Sequence, residues 1–323
     1  MEKSPSRLWQ SLTLLIASLG PGRTLLLIPE SALAFESMRA DDLRVEKESR
    51  RLWHIPNLLG LDAPLIAVMW LFLFARTWRI FYHPWEAYLA LALAAWTIRI
   101  AGLLVESAMV NDGSRFSEMQ RVWLKRCAFV AGLAAVVLTV LNVPLTVYNF
   151  LLVGGLMVAG YFAVSLFSGQ EEGEISYFKN ALGGIGFAFG IALTAQVYLP
   201  NTGIQELFLS REFICFAVLC ILASSAIDIW KKAANAEDKE MSTMDEISLS
   251  LPLTLLGAAS LVYAVQDESM LARPFYYAVL TGAALLQVLN RARGRFDIAT
   301  LKTLTGFALL VPGLVFQSYP MDR

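Results

Sequence analysis

The chain has 323 residues, of which 57% are hydrophobic and only 16% charged, and its mean hydropathy is +0.56. Soluble domains run at roughly 45–50% apolar and about 25% charged, so a water-soluble globule of this size could not hide the surplus, and lipid is the expected solvent. A formal net charge of −1 gives no basic excess for nucleic acid. Cys127, Cys215 and Cys220 show no CxxC spacing, and His54 and His83 have no neighbour at ligand spacing. Zinc and haem chemistry are therefore set aside, and the cysteines read as small apolar side chains.

In chain order, residues 1–53 form an N-terminal extension and 54–323 a single helical domain. Lys3 and Arg7 precede an apolar run over 8–19, Pro21-Gly22-Arg23 interrupts it, and Leu25 to Ile28 resume it. Ser31-Ala32-Leu33-Ala34 has the small-x-small form of a signal-peptidase site. Cleavage there would leave the basic stretch from Arg39 to Arg51 outside the membrane. An interfacial or re-entrant hairpin is the preferred expectation, and a start at Met38 the alternative.

A hydrocarbon layer of about 30 Å needs some 20 mostly apolar residues per crossing. Nine spans meet that measure, at 62–82, 85–109, 125–143, 146–168, 180–199, 211–230, 247–266, 271–290 and 301–318. Turn chemistry separates several of them: His83-Pro84, Asn142-Val143-Pro144, Pro200-Asn201-Thr202-Gly203 and Arg273-Pro274. Gly186 and Gly190 form a GxxxG in the fifth span, where a close helix neighbour is expected. Trp78, Tyr82, Trp85 and Trp123 sit near span ends, as an aromatic belt does.

Positive charge orients the spans. With the segment before the first span inside, the inner segments hold 17 Lys and Arg and the outer ones 5. The inner set includes Arg121, Lys125, Arg126, Lys179, Lys231 and Lys232; the outer set is Arg76, Arg79, Arg211, Arg273 and Arg323. The expectation is a bacterial inner-membrane protein with a cytoplasmic N-terminal side and an external C-terminus.

Ionisable residues inside a span are costly and mark function. One cluster lies on the second span, where Arg99 and Glu106 are seven apart and share a helix face, with Asn111 and Asp112 in the following loop. The other ends the sixth span, with Asp228, Lys231 and Lys232. Both fall at the expected cytoplasmic ends.

This pattern resembles the UbiA superfamily of intramembrane prenyltransferases, over roughly residues 54–318. Leu61-Asp62-Ala63-Pro64-Leu65 is similar to the family's opening segment. Gly102-Leu103-Leu104-Val105-Glu106 is similar to the first DxxxD motif in its DRLLD form. Ser176-Tyr177-Phe178-Lys179-Asn180 with Gly183-Gly184 looks like the lead into helix five, and Ala226-Ile227-Asp228-Ile229 like the start of the second Asp motif, with Met241-Ser242-Thr243 echoing the tail of its loop.

The resemblance implies an all-α nine-helix bundle that binds an isoprenyl diphosphate and transfers the prenyl group to a lipophilic acceptor, or cyclises it. It assigns Glu106 and Asp228 to magnesium and catalysis, and Lys179, Lys232, Asn111, Asp112 and Arg99 to the substrate, Arg99 by orienting Glu106. Trp96, Phe178, Phe187, Phe189 and Trp230 are candidate walls for an allylic cation. The chain departs from the motifs at Gly102, which stands in place of Asp, at Leu103 in place of Arg, and at Lys232, where a carboxylate is expected. Those departures carry a second reading, a catalytically inactive scaffold or lipid-binding subunit of a membrane complex with a protein partner. A transporter is less favoured, because no inverted repeat is evident between the halves.

Overall fold

In lipid a backbone amide finds no partner except within its own helix or a closed barrel, and this chain takes the helical solution. A computed structural model describes residues 59–80, 83–109, 118–144, 148–167, 174–199, 203–235, 239–268 and 270–319, all within the unit Leu52–Arg323. The hairpin, signal and start-site readings of the extension lie outside the described residues. Eleven α-helices and no strand occur among the described residues: α1 (Asp62–Thr77), α2 (Trp85–Met109), α3 (Glu118–Asn142), α4 (Tyr148–Phe167), α5 (Glu174–Gln196), α6 (Ile204–Leu209), α7 (Arg211–Asn235), α8 (Lys239–Gln266), α9 (Arg273–Ala292), α10 (Ile298–Leu310) and α11 (Pro312–Ser318).

Six helical stretches are long and apolar enough to cross a membrane: α2, α3, α5, α7, α8, and α10 with α11. The protein is therefore an all-helical, polytopic membrane protein by length and composition. All nine expected apolar runs overlap a helix, but crossing by α1, α4 and α9 does not follow on the same grounds. α1 has 16 residues, or about 24 Å. In α4 the described apolar stretch is Leu152–Leu166, within a 20-residue helix, and α9 spends positions on Gln287, Asn290 and Arg291.

Local chemistry sets the ends. α1 stops at Thr77, short of its apolar run, because Arg79 adopts φ 54°. The amide of Ile80 then donates to Ala75 O at 2.8 Å and that of Arg79 to Arg76 O at 3.2 Å. This is a Schellman closure with arginine where glycine is usual. α9 starts at Arg273 with Pro274 in its first turn and is capped by Asp267, whose carboxylate accepts from the amides of Ala272 (2.8 Å) and Arg273 (3.1 Å). The last expected span divides at Pro312, which cannot donate an amide hydrogen. α3, α5 and α8 begin seven, six and eight residues before their apolar runs, so helix continues into the charged flanks.

α7 is the central helix, with 61% of its apolar window buried against 17% for α3. It packs on α5, α8, α9 and α10, while α5 also meets α1, α2 and α4. Trp70 of α1 lies at the hub, 4.2 Å from Phe216 of α7 in a stack and edge-on to Phe275 of α9 at 5.5 Å. Its indole donates to Leu309 O of α10 at 2.9 Å.

A polar seam joins α7, α8 and α9. Trp230 Nε1 donates to Asn290 Oδ1 at 2.9 Å, and Asn290 Nδ2 and Gln287 Nε2 both donate to Ser250 Oγ, at 3.2 and 2.9 Å. Within an apolar surround such interhelical bonds specify which helices meet.

His83, between α1 and α2, lends the fold a pH response. Its Nε2 donates to Thr194 O at 3.3 Å, and its ring lies 4.8 Å from Tyr88 and 4.6 Å from Tyr198. Burial holds its pKa below the ordinary 6.5, outweighing backbone hydrogen bonds at Thr194 and Pro84 that act the other way. The folded protein therefore binds this proton less tightly than the unfolded chain. Its contribution is complete above pH 6.5 and declines as the pH falls through 6.5 towards the lower folded value. Melting profiles between about pH 7.5 and about pH 5 are expected to show a steeper acid-side loss for the native chain than for His83→Phe. Parallel profiles would show that His83 is not the titrating group.

Candidate functional site at the facing ends of α5 and α7

Helix α5 and helix α7 run antiparallel and meet along a short ladder of contacts. At its deep end, Gly184 lies so close to α7 that a Cβ there would sit 2.7 Å from the Ile221 amide nitrogen and 2.8 Å from its Cα. One turn towards the start of α5, Asn180 is buried, and its Nδ2 donates to Asp228 Oδ2 at 2.8 Å. The other oxygen, Asp228 Oδ1, lies 3.7 Å from Lys231 Nζ. At the rim, Lys232 Nζ stands 5.8 Å from the centre of the Tyr177 ring. Asp228 lies seven residues from the end of α7, or about 10 Å along its axis.

Spacing explains the grouping. Tyr177, Asn180 and Gly184 recur at intervals of three and four on α5, and Asp228, Lys231 and Lys232 do so on α7, so each set shares a face. The Asp228 carboxylate thus faces one ammonium and one amide, and the neighbouring ammonium rests on an aromatic face. This arrangement places two lysines at one helix junction, with Lys179 next to Asn180 in sequence, and suits the recognition of a phosphate oxyanion.

Arg99 belongs to a different junction. Arg99 Nη2 reaches Asp62 Oδ2 at 3.5 Å, and the Arg99 stem packs on Gly60, whose φ is 65°. Trp96 Nε1 donates to Leu59 O at 2.9 Å. The turn before α1 is thus clamped onto α2 by Trp96 and Arg99 together. Asp62 Oδ1 and Arg99 Nε are buried without hydrogen-bond partners, so the ion pair is made through one contact. The described partner of Arg99 is Asp62; the side chain of Glu106, which Arg99 was expected to orient, lies outside the described residues. Asn111 and Asp112 lie outside them as well.

Among the described residues no group of three or more His, Cys, Asp or Glu side chains is placed to hold a metal. From the expected magnesium set only Asp228 is described, and it is held by Asn180 and Lys231. The described donors do not fit a magnesium ion.

The expected aromatic walls are dispersed. Phe189 is buried and stacks on Phe208 at 5.5 Å, Trp230 is buried against Asn290, and Phe178 is exposed. The GxxxG also behaves differently from expectation. A Cβ on Gly186 would make an ordinary contact with Met157 at 3.7 Å, and Gly190 has nothing within 4 Å; the close approaches are made by Gly184 and by Gly183, against Tyr161 at 3.1 Å. Two partnerships escaped sequence reading, Asn180 with Asp228 and Asp62 with Arg99. Each joins residues far apart in the chain, 48 and 37 positions, and no local pattern pairs them.

Fold and composition together define an all-helical membrane protein with a cationic, amide-lined junction at one end of α5 and α7. No protein-family model matches the chain, and no curated protein or solved structure matches it either.

Proposed function

We propose that the protein is a divergent UbiA-like membrane protein of nine spans that binds an isoprenyl diphosphate in the membrane, at the cytoplasmic end of α5 and α7. The observation that carries this reading is the Asn180–Asp228–Lys231 cluster with Lys232 beside it. Lys179, Lys231 and Lys232 contact the diphosphate, and the apolar surround receives the prenyl chain. When the allylic C–O bond breaks, its electron pair leaves with the diphosphate, and the lysine ammonium groups offset the added negative charge. A lipophilic acceptor then supplies an electron pair to the allylic carbon and loses a proton, or a double bond of the same chain does so in cyclisation. Magnesium belongs to this reading only through Glu106, with Asp228, and so depends on a side chain outside the described residues.

A second reading is favoured by one specific observation: Asp228 is already engaged by Asn180 and Lys231. A carboxylate so engaged serves a scaffold or lipid-binding subunit that holds a phosphorylated lipid without turning it over.

Thermal stabilisation of the purified protein by farnesyl diphosphate, with and without magnesium, tests the binding that both require, and turnover separates them. Binding is expected to weaken by about tenfold or more in Lys231→Gln/Lys232→Gln, as loss of charge-assisted phosphate contacts implies. Transfer to a lipophilic acceptor, lost in Asp228→Asn, supports the enzyme; binding without turnover supports the scaffold. No stabilisation by farnesyl diphosphate under either condition would sink both prenyl readings.

A further inference from the structure

Helix α3 is peripheral. Its buried residues Ala128, Ala131 and Ala135 form a seam of small side chains against α2, and a Cβ on Gly132 would lie 3.2 Å from Thr97 Cγ2. The opposite side is an apolar stripe exposed over most of the helix, with Phe129 at 74% and Leu141 at 73%. Val122, Arg126, Phe129 and Leu133 recur at intervals of four and three, so Arg126 stands on the same stripe. Lys125 flanks it; both basic residues are exposed, and neither pairs with an acid among the described residues. Trp123, one turn nearer the start of α3, is 62% exposed, at the level where an indole marks the edge of the hydrocarbon.

We propose that this face binds an anionic phospholipid, its headgroup phosphate held by Lys125 and Arg126 and one acyl chain lying along the stripe from Phe129 towards Leu141. Charge complementarity selects the headgroup, because two exposed cations at the polar edge, with no acidic partner among the described residues, attract an anionic lipid over a zwitterionic one. The apolar stripe selects a lipid over a soluble phosphate, since the acyl chain covers surface that no described helix covers. The inference is independent of the diphosphate site, which lies on α5 and α7.

The test uses the full-length protein in neutral detergent, titrated with phosphatidylglycerol or with phosphatidylcholine of the same acyl chains, and read by lipid retention in native mass spectrometry and by melting temperature. Phosphatidylglycerol is expected to bind about thirtyfold more tightly, from roughly two surface charges. The preference should vanish in Lys125→Gln/Arg126→Gln, which keeps helix propensity, and survive in Lys231→Gln/Lys232→Gln. Equal affinity for the two lipids overturns the proposal, as does a preference that Lys125→Gln/Arg126→Gln retains. Competition by glycerol phosphate at the lipid's own concentration also overturns it, because the stripe would then contribute nothing.

Discussion

Trp70→Ala is expected to lower the stability of the detergent-solubilised protein by about 3–5 kcal/mol, the range for deleting a large buried aromatic. Once helices are inserted, the hydrophobic effect no longer drives them together, so this cost comes from lost dispersion and an unfilled cavity. The indole is fully buried, stacked on Phe216 and edge-on to Phe275, so its removal opens the meeting point of α1, α7 and α9. It also strands the Leu309 carbonyl in the last turn of α10, where helix termini leave carbonyls without helical partners. Trp70→Phe keeps most of the volume and loses the hydrogen bond, for an expected cost of about 1–2 kcal/mol. Unfolding titrations in mixed micelles measure both. A loss below about 1 kcal/mol for Trp70→Ala, well under the range for such deletions, would mean that this hub does not hold the bundle.

Gly184→Ala carries the second large effect. The added methyl would lie 2.7 Å from the Ile221 amide nitrogen and 2.8 Å from its Cα, and backbone within a helix cannot yield as a side-chain tip can. The helices must separate, at an expected net cost of about 2 kcal/mol or more after the gain in helix propensity of about 1 kcal/mol. Because Asn180 and Asp228 meet one turn away, the same change should lengthen their hydrogen bond and weaken farnesyl diphosphate binding. Gly190→Ala is the internal control, since nothing lies within 4 Å of its added carbon; it should be neutral or slightly stabilising. Equal behaviour of the two variants in melting experiments would refute the close approach of α5 to α7.

These two glycines show where sequence reading reaches and where it ends. GxxxG spacing pointed to Gly186 and Gly190, yet the tight contact falls on Gly184, which faces α7. Small residues permit close approach wherever they occur; the rotation of a helix about its own axis selects the one that is used. Ionisable residues behaved likewise. Arg99 bonds to Asp62, carried there by the packing of α1 on α2, a partner that spacing along α2 does not indicate. Asp228, Lys231 and Lys232 were legible as a charged helix end, whereas the amide of Asn180 that engages Asp228 was not.

Helix boundaries divide along similar lines. The run 85–109 coincides with α2, because apolar composition and the His83-Pro84 break agree there. α3, α5 and α8 extend past their runs because hydropathy measures residence in lipid, while backbone hydrogen bonding persists into the charged flanks. α1 is shorter than its run because Arg79 closes it with a positive φ, a conformation that composition does not announce.

Lipid as solvent, the helical class and the positions of the apolar helices are written in composition, since each follows from how many apolar residues stand together. Tertiary structure alone decided that α7 is central and α3 peripheral, and that Asp228 meets Asn180 while Arg99 meets Asp62. Those outcomes depend on which helix faces turn towards one another, and that is settled by packing between residues distant in the chain.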